Sequence, residues 1–317
     1  MMLSLYLHVF RLTSPIVLRQ TVTPLKVSLG ANLLNLVLDP LLIFFTPLGV
    51  VGAALATALS EAVSGAVYLK LLVKRKLAKV KLLVKPPSLK SLLPLLQGGA
   101  SLLGRQMAIN VGLVAAARRA QALDPTGVTA AAYGIVMQFY SVGIVVHVAM
   151  QGTAAALVPA TLVQSGQDEA RKVADRIFVW NSIVGVLLAL GQWAAVVWLV
   201  PLLGTVPAVQ ETVKAPALMA AVLHVLNGPV FAGEGVLLGL GQFRDLMLIT
   251  TVGCGSMLAA LASPMGSGSL KGVFLSLMAF SSVNAVLTTV HYLKIGPLAV
   301  KRKRPEVAVQ VAQNVVR

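Results

Sequence analysis

Charge is what this sequence has least of. Among 317 residues only 11% are charged, acidic residues number 10, and aromatic residues make up 5%. A soluble domain carries roughly a quarter charged residues, so this chain has too few ionisable groups to clothe a water-facing surface of its own size. It has one cysteine, Cys254, which excludes an internal disulfide and a cysteine-built zinc site and leaves the redox compartment open. Disorder is excluded as well, because 57% of the residues are hydrophobic and the mean hydropathy is +0.86, and an apolar majority does not stay unfolded in water. The bilayer is the solvent that this composition suits.

The charges that are present are unbalanced: 26 Lys and Arg against 10 Asp and Glu, a net +16. Such a balance would suggest nucleic acid in a soluble protein. Here the basic residues gather at the ends of apolar stretches, with no RNP-like, zinc-finger or aromatic-interleaved basic element, so anionic lipid and membrane topology account for them and a nucleic-acid partner is not expected.

A membrane helix needs about 20 mostly apolar residues. Val27 to Ser60 contains only Asp39, and Pro125 to Gln167, Ile177 to Gln210, Ala215 to Gly233, Leu246 to Leu270 and Gly272 to Leu293 contain no Asp, Glu, Lys or Arg at all. Breakers and charges divide the chain into about eight spans: Pro24–Phe45, Leu48–Val73, Leu92–Ala117, Val128–Val163, Ile177–Val200, Val209–Leu240, Leu246–Leu261 and Leu270–Leu293. The expected fold class is all-α, a polytopic membrane helix bundle, and the expected localisation a multi-pass integral membrane protein, the membrane itself left open.

Topology decides between one span and two in the window from Pro125. The segment carrying Lys74, Arg75, Lys76, Lys79, Lys81, Lys85 and Lys90 and the tail opening Lys301-Arg302-Lys303-Arg304 are the densest basic stretches, and the positive-inside rule puts both in the cytoplasm. An even number of crossings must separate them, which holds only if that window is one long helix. Arg11, Arg19, Arg171, Lys172, Arg176 and Arg244 then fall inside, and Arg118, Arg119, Lys214 and Lys271 outside. The pair Pro86-Pro87 marks the strongest boundary. The expected organisation is residues 1–73 as a partial N-terminal lobe of a helix stub plus two spans, 74–91 as a basic cytoplasmic linker, 92–293 as a six-helix C-terminal lobe, and 294–317 as a basic cytoplasmic tail. Met1 to Phe10 lacks the basic start and full apolar core of a signal peptide and reads as the remainder of a helix or as a short interfacial anchor.

Three blocks carry a family resemblance. The first is Thr23-Pro24-Leu25, then Asn32 to Phe44 with Asn35, Asp39 and Pro40, then Leu48-Gly49-Val50-Val51-Gly52 running to Thr57. The second is Lys85-Pro86-Pro87-Ser88, Leu103-Gly104-Arg105, Ala116-Ala117-Arg118, Ala131-Ala132, Gln138 and Gln151-Gly152; the third is Val230 to Gly239, with Glu234 ahead of Gly235-Val236, followed by Phe243. Together they resemble the multidrug and toxic compound extrusion (MATE) family, in its DinF-like, plant organic-acid branch, from the end of the family's fourth helix onward. The resemblance implies a secondary antiporter of two six-helix lobes that exports drug-like or organic-acid compounds as protons or sodium ions enter, and not an enzyme. Its partners would be a small-molecule substrate, a proton or sodium ion and the lipid bilayer, and no cofactor is implied. The first family helix, which in many members bears a proton-linked acidic residue, is not in this sequence, so the alternative is a truncated, non-transporting membrane protein or a gene-model fragment. The chain also departs from the family pattern: Ala132-Tyr133-Gly134 stands where plant members commonly have Ala-His-Gln, and His147 where an acidic residue is common.

Ionisable groups at bilayer depth usually face protein or water, because exposing them to lipid costs about 2.5–3.5 kcal/mol. Glu234, between Gly233 and Gly235, is the first candidate: either a reversibly protonated coupling group or a neutral bridge between helices. Arg105 stays charged and needs an acceptor, either an anionic substrate or a carboxylate such as Glu234. Asp39, beside Pro40, either binds a cation or satisfies a kinked helix together with Asn32 and Asn35. Gln138, Tyr140 and Gln151, with Tyr133, either line a cavity or hydrogen-bond between helices. His147 and His224 read as hydrogen-bonding residues more readily than as proton relays, and the role of Glu61 is open. Gly235 and Gly239 form a small-xxx-small pair that suits close helix packing. The cation-coupling or substrate cavity expected from these readings comprises Glu234, Asp39, Arg105, Asn35, Gln138, Tyr140 and Gln151, and no metal-ligand set is evident.

Overall fold

A computed structural model describes residues 22–74, 89–203 and 206–299. The basic residues Arg75, Lys76, Lys79, Lys81 and Lys85, the Pro86-Pro87 pair, the tail from Lys301, and Met1 to Phe10 with Arg11 and Arg19 lie outside these residues. The described chain is helical: α1 (Val22–Phe44), α2 (Val50–Lys74), α3 (Leu89–Ala122), α4 (Val128–Ser165), α5 (Gln167–Leu203), α6 (Pro207–Gly239), α7 (Phe243–Ala262), the short α8 (Pro264–Ser267), α9 (Leu270–Val290) and a π-helical turn (His291–Ile295). Eight of these helices are long and apolar enough to cross a bilayer. The window from Pro125 forms one continuous helix, α4, as the topology argument requires.

The chain divides into two compact units at Leu93 and Pro94. In the first, α1 and α2 form an antiparallel hairpin. Pro40 lies inside α1, and Gly49 turns the chain with a positive φ of 49°. Thr46 donates to the Leu42 carbonyl at 2.5 Å, and Gly52 lets α2 meet that same stretch of backbone, where a Cβ would collide with the Leu42 carbonyl.

The second unit is organised around α6, whose span is 56% buried against 39% or less for any other. Its enclosure follows from glycine. A Cβ at Gly228 would stand 2.9 Å from the Asn181 carbonyl oxygen on α5, one at Gly233 would stand 2.7 Å from Thr288 Cβ on α9, and those at Gly235 and Gly239 would stand 2.6 and 2.7 Å from the Gln151 and Ala155 carbonyl oxygens on α4. Three neighbouring backbones thus come closer than a side chain on α6 would permit, which is how membrane helices gain packing energy where water gives no hydrophobic drive. Val213, Ala217, Ala220 and Leu223 of α6 join Ala116 and Ala120 of α3, Ala132 and Val136 of α4, Met257 of α7 and Phe274 of α9 in the main apolar core. Exposed Val142, Val145, Trp180, Leu187, Trp198 and Val286 give the outer surface a lipid-like character. Thr153, Thr161 and Thr251 hydrogen-bond the carbonyl one turn back on their own helices, so they leave no bare hydroxyl toward lipid.

Most helix ends lie within a few residues of the expected spans, and the largest difference is at the start of α5. Helix α5 begins at Gln167, well before Ile177, and takes in the charged stretch through Arg176. Asp168 and Glu169 suit the positive end of the helix dipole, while Ala170 and Ala174 are buried against Tyr292 and Leu298. The segment after α9 folds back onto this helix start: Tyr292 donates to Asp175 at 2.6 Å, and Arg171 lies over the Tyr292 ring and donates to the Leu298 carbonyl; His291 meets Asp245 of α7 at 3.1 Å. At the opposite end Arg119 donates to the Ser267 carbonyl. Between α3 and α4, Asp124 accepts from the Thr126 hydroxyl, the Thr126 amide and the Val128 amide at 2.6, 2.9 and 3.0 Å, and these bonds, led by the Thr126 hydroxyl, hold its carboxyl below the ordinary carboxylate value.

Packing of α6 on α4 sets a clear expectation. Gly239→Leu should lower stability in detergent unfolding by about 1–3 kcal/mol through overpacking, whereas Gly191→Leu, at a position with open space around it, should change it by less than about 0.5 kcal/mol. Equal tolerance of both substitutions would contradict the close approach.

Candidate functional site: a buried carboxylate and its donors

Glu234 is 3% exposed on the most enclosed helix of the unit. Gly233 and Gly235 bring α9 and α4 against the backbone on either side of it, so its carboxylate is held in protein. Arg105 Nη2 of α3 donates to Glu234 Oε2 at 2.6 Å, and Gln151 Nε2 of α4 donates to the same oxygen at 2.7 Å. Oε1 takes no hydrogen bond from any described residue. The guanidinium is itself incompletely satisfied, since Arg105 Nε is buried without a partner. The side chains of Arg105 and Glu234 are 17% and 4% exposed, which makes this a mostly desolvated pair. Its Coulombic attraction has to offset a desolvation cost of several kcal/mol per ion.

Three of the sequence candidates, Glu234, Arg105 and Gln151, therefore meet, and of the two acceptors open to Arg105 the structure places it on the carboxylate. Asn35 and Asp39 form their own pair in the first unit: Asn35 Nδ2 reaches Asp39 Oδ1 and Thr57 Oγ1, each at 3.4 Å, beside the proline inside α1. Tyr140 is elsewhere in the second unit, accepting from Asn227 Nδ2 at 2.7 Å, and Gln138 is exposed on α4. Tyr133 packs on Phe274.

Sequence reading passed over Asn181, Gln192, Asn227, Ser281 and Asn284, all buried in the second unit. Asn227 donates to Tyr140 and accepts from Ser281 Oγ at 3.2 Å, and Asn181 and Gln192 each meet a histidine ring. The signal was available: an Asn or Gln within an uncharged apolar window is costly unless another helix supplies its partner. No group of three or more His, Cys, Asp or Glu side chains able to hold a metal occurs among the described residues.

A buried ion pair inside a bundle of bilayer-length helices defines a polytopic α-helical membrane protein with a polar site in its interior. A family model described as MatE matches residues 126–263. Protein DETOXIFICATION 43 of Arabidopsis thaliana is 24% identical over 271 residues, an alignment covering 84% of this chain and 50% of that protein, so the chain spans about half the length of the curated relatives it matches. Among solved structures, MATE in the straight conformation is similar with a TM-score of 0.73 and 16% identity over 84% of this chain and 60% of that one. The MATE transporter ClbM in complex with Rb+ is similar with a TM-score of 0.70 and 19% identity over 91% and 62%. The MatE match takes in the middle of the chain, and the chain carries the fold of these MATE structures.

Removing one partner of a buried ion pair costs about 3–5 kcal/mol, whereas replacing both by apolar residues of similar volume is close to neutral. Arg105→Met should therefore lower unfolding stability in mixed micelles by an amount in that range, and Arg105→Met with Glu234→Met should recover most of it. Additive losses in the double variant would show that the two side chains do not act as a pair.

Proposed function

We propose that this chain works in a MATE-type secondary antiporter that exports organic compounds as protons enter, with Glu234 as the group that takes up and releases the proton. The observation that carries this reading is the asymmetry of the carboxylate: both donors sit on Oε2, and Oε1 is left for the proton. When Oε1 is protonated, Arg105 loses its counter-charge while remaining charged itself. Its guanidinium then suits an anionic group on an incoming substrate, by a charge-assisted and often bidentate contact. Loss of the proton restores the carboxylate, which competes for Arg105 and favours release of the anion. Substrate and proton are thus linked through one guanidinium, and organic acids are the favoured class. Sodium is the less suitable coupling ion, because a cation already occupies the charged oxygen. Asp39 and Asn35 of the first unit, and Gln138 and Tyr140 of the second, are further candidates for cation or substrate contact, with the basic linker and tail on the cytoplasmic side.

The test is flux in proteoliposomes of the full chain under an imposed pH gradient, with a tricarboxylate as the probe. Glu234→Gln should reduce gradient-driven efflux at least about tenfold, the loss expected from a charge-assisted bond of about 1.5–3 kcal/mol, at unchanged membrane abundance. Flux in Glu234→Gln equal to wild type, flux driven by sodium alone, or no flux in the wild-type chain would each overturn the proposal.

A further inference from the structure

The buried histidines belong to a feature that the carboxylate site does not use. His147 on α4 and His224 on α6 are 0% and 1% exposed, and their rings stack with centroids 5.5 Å apart at 26°. Phe231 also stacks on His147 at 5.3 Å, and Tyr140 lies tilted against His224 at 4.9 Å. The four rings form a column with two imidazoles inside and a benzenoid ring at each end. Space for it is built into the backbone. A Cβ at Gly143 would collide with the His224 ring, and one at Gly185 would stand 2.5 Å from the His224 carbonyl oxygen.

Each imidazole has one nitrogen engaged and one free. His147 Nδ1 meets Asn181 Oδ1 at 3.2 Å and His224 Nε2 meets Gln192 Oε1 at 2.8 Å. Amide oxygens only accept, so these ring nitrogens carry the hydrogens. His147 Nε2 and His224 Nδ1 are then buried lone pairs without a partner. Buried polar atoms in native proteins are overwhelmingly satisfied, and each exception calls for an explanation. A lone pair on a neutral imidazole is a base, and an aromatic face at either end of the column is a favourable neighbour for an imidazolium. Two imidazolium rings at 5.5 Å would repel each other strongly at a site buried from solvent, which limits the column to one charge.

We propose that the Phe231–His147–His224–Tyr140 column is a proton-binding site that takes one proton between its two imidazoles. The groups facing it are neutral: Asn181 and Gln192 from α5, Asn227 from α6, and, behind Asn227, Ser281 from α9. The titratable groups nearby are Tyr140, whose hydroxyl is bonded to Asn227, and Glu234, one turn past Phe231 on α6 and paired with Arg105 from α3. Gln151 lies one turn past His147 on α4 and holds Glu234, so the column and the carboxylate share the α4–α6 seam. The column binds its proton whether or not the chain transports.

The sequence has four histidines, so replacing His8 and His291 with Asn leaves the column's two as the whole signal. Imidazole nitrogen NMR of this full-length variant in lipid nanodiscs, titrated between about pH 8.5 and pH 4.5, should show two neutral rings at the alkaline end and one imidazolium with one neutral ring at the acid end. The wild-type chain read in the same way supplies the count if the variant does not fold. Phe231→Leu should move the midpoint to lower pH by about half a unit or more, and Glu234→Gln should leave a one-proton titration in place. Two rings neutral throughout, two imidazolium rings in acid, an unmoved midpoint in Phe231→Leu, or loss of the titration in Glu234→Gln would each overturn the proposal. Persistence of the titration in a chain without flux would separate it from the antiport reading.

Discussion

A carboxylate on the most enclosed of the bilayer-length helices is tolerable only with donors on it, and in this protein those donors come from two other helices. Arg105 of α3 and Gln151 of α4 converge on a single oxygen of Glu234. The pair therefore ties α3, α4 and α6 together at one point and makes their relative positions depend on the charge of one group. Breaking that tie leaves a charge in a medium that screens it poorly, so any process that protonates Glu234 must also find something for Arg105 to hold. Structure and chemistry meet in that requirement.

The approach that lets these side chains meet is made by absence of side chains elsewhere. Gly233 and Gly235 flank the carboxylate, Gly228 admits α5, and Gly239 admits the next turn of α4. Without water to drive association, helices in lipid gain by contact area and hydrogen bonding, and a glycine face allows both. The same closeness produces the aromatic column, where Gly143 makes room for a histidine ring from the facing helix. Polar groups are placed between helices in this unit by the same device that packs them.

Much of the fold was legible in the residues. An uncharged window from Pro125 to Gln167 has to be one helix once the basic segments on either side are placed by charge, and α4 is one helix. Glu234 stood out because an acidic residue between two glycines in an apolar window has little alternative to an interior position. The start of α5 was not legible, because Asp168 through Arg176 looks like a loop by hydropathy. It is helical because Ala170 and Ala174 find a surface supplied by Tyr292 and Leu298, residues far along the chain. The polar partners Asn181, Gln192 and Asn227 were visible as letters, and their pairing was not.

Composition and window length, read without any fold, determined that the chain lies in a membrane as about eight helices, because too little charge leaves no other solvent and span length follows from bilayer thickness. The order of Asn, Asp, Pro and Gly residues carried the resemblance to the MATE family. Only the tertiary structure decided which oxygen Arg105 contacts, that Gln151 shares it, and that His147 and His224 stack, because such contacts join residues on different helices. Their meeting depends on helix rotation and approach, which hydropathy does not encode and which the glycines of α6 set.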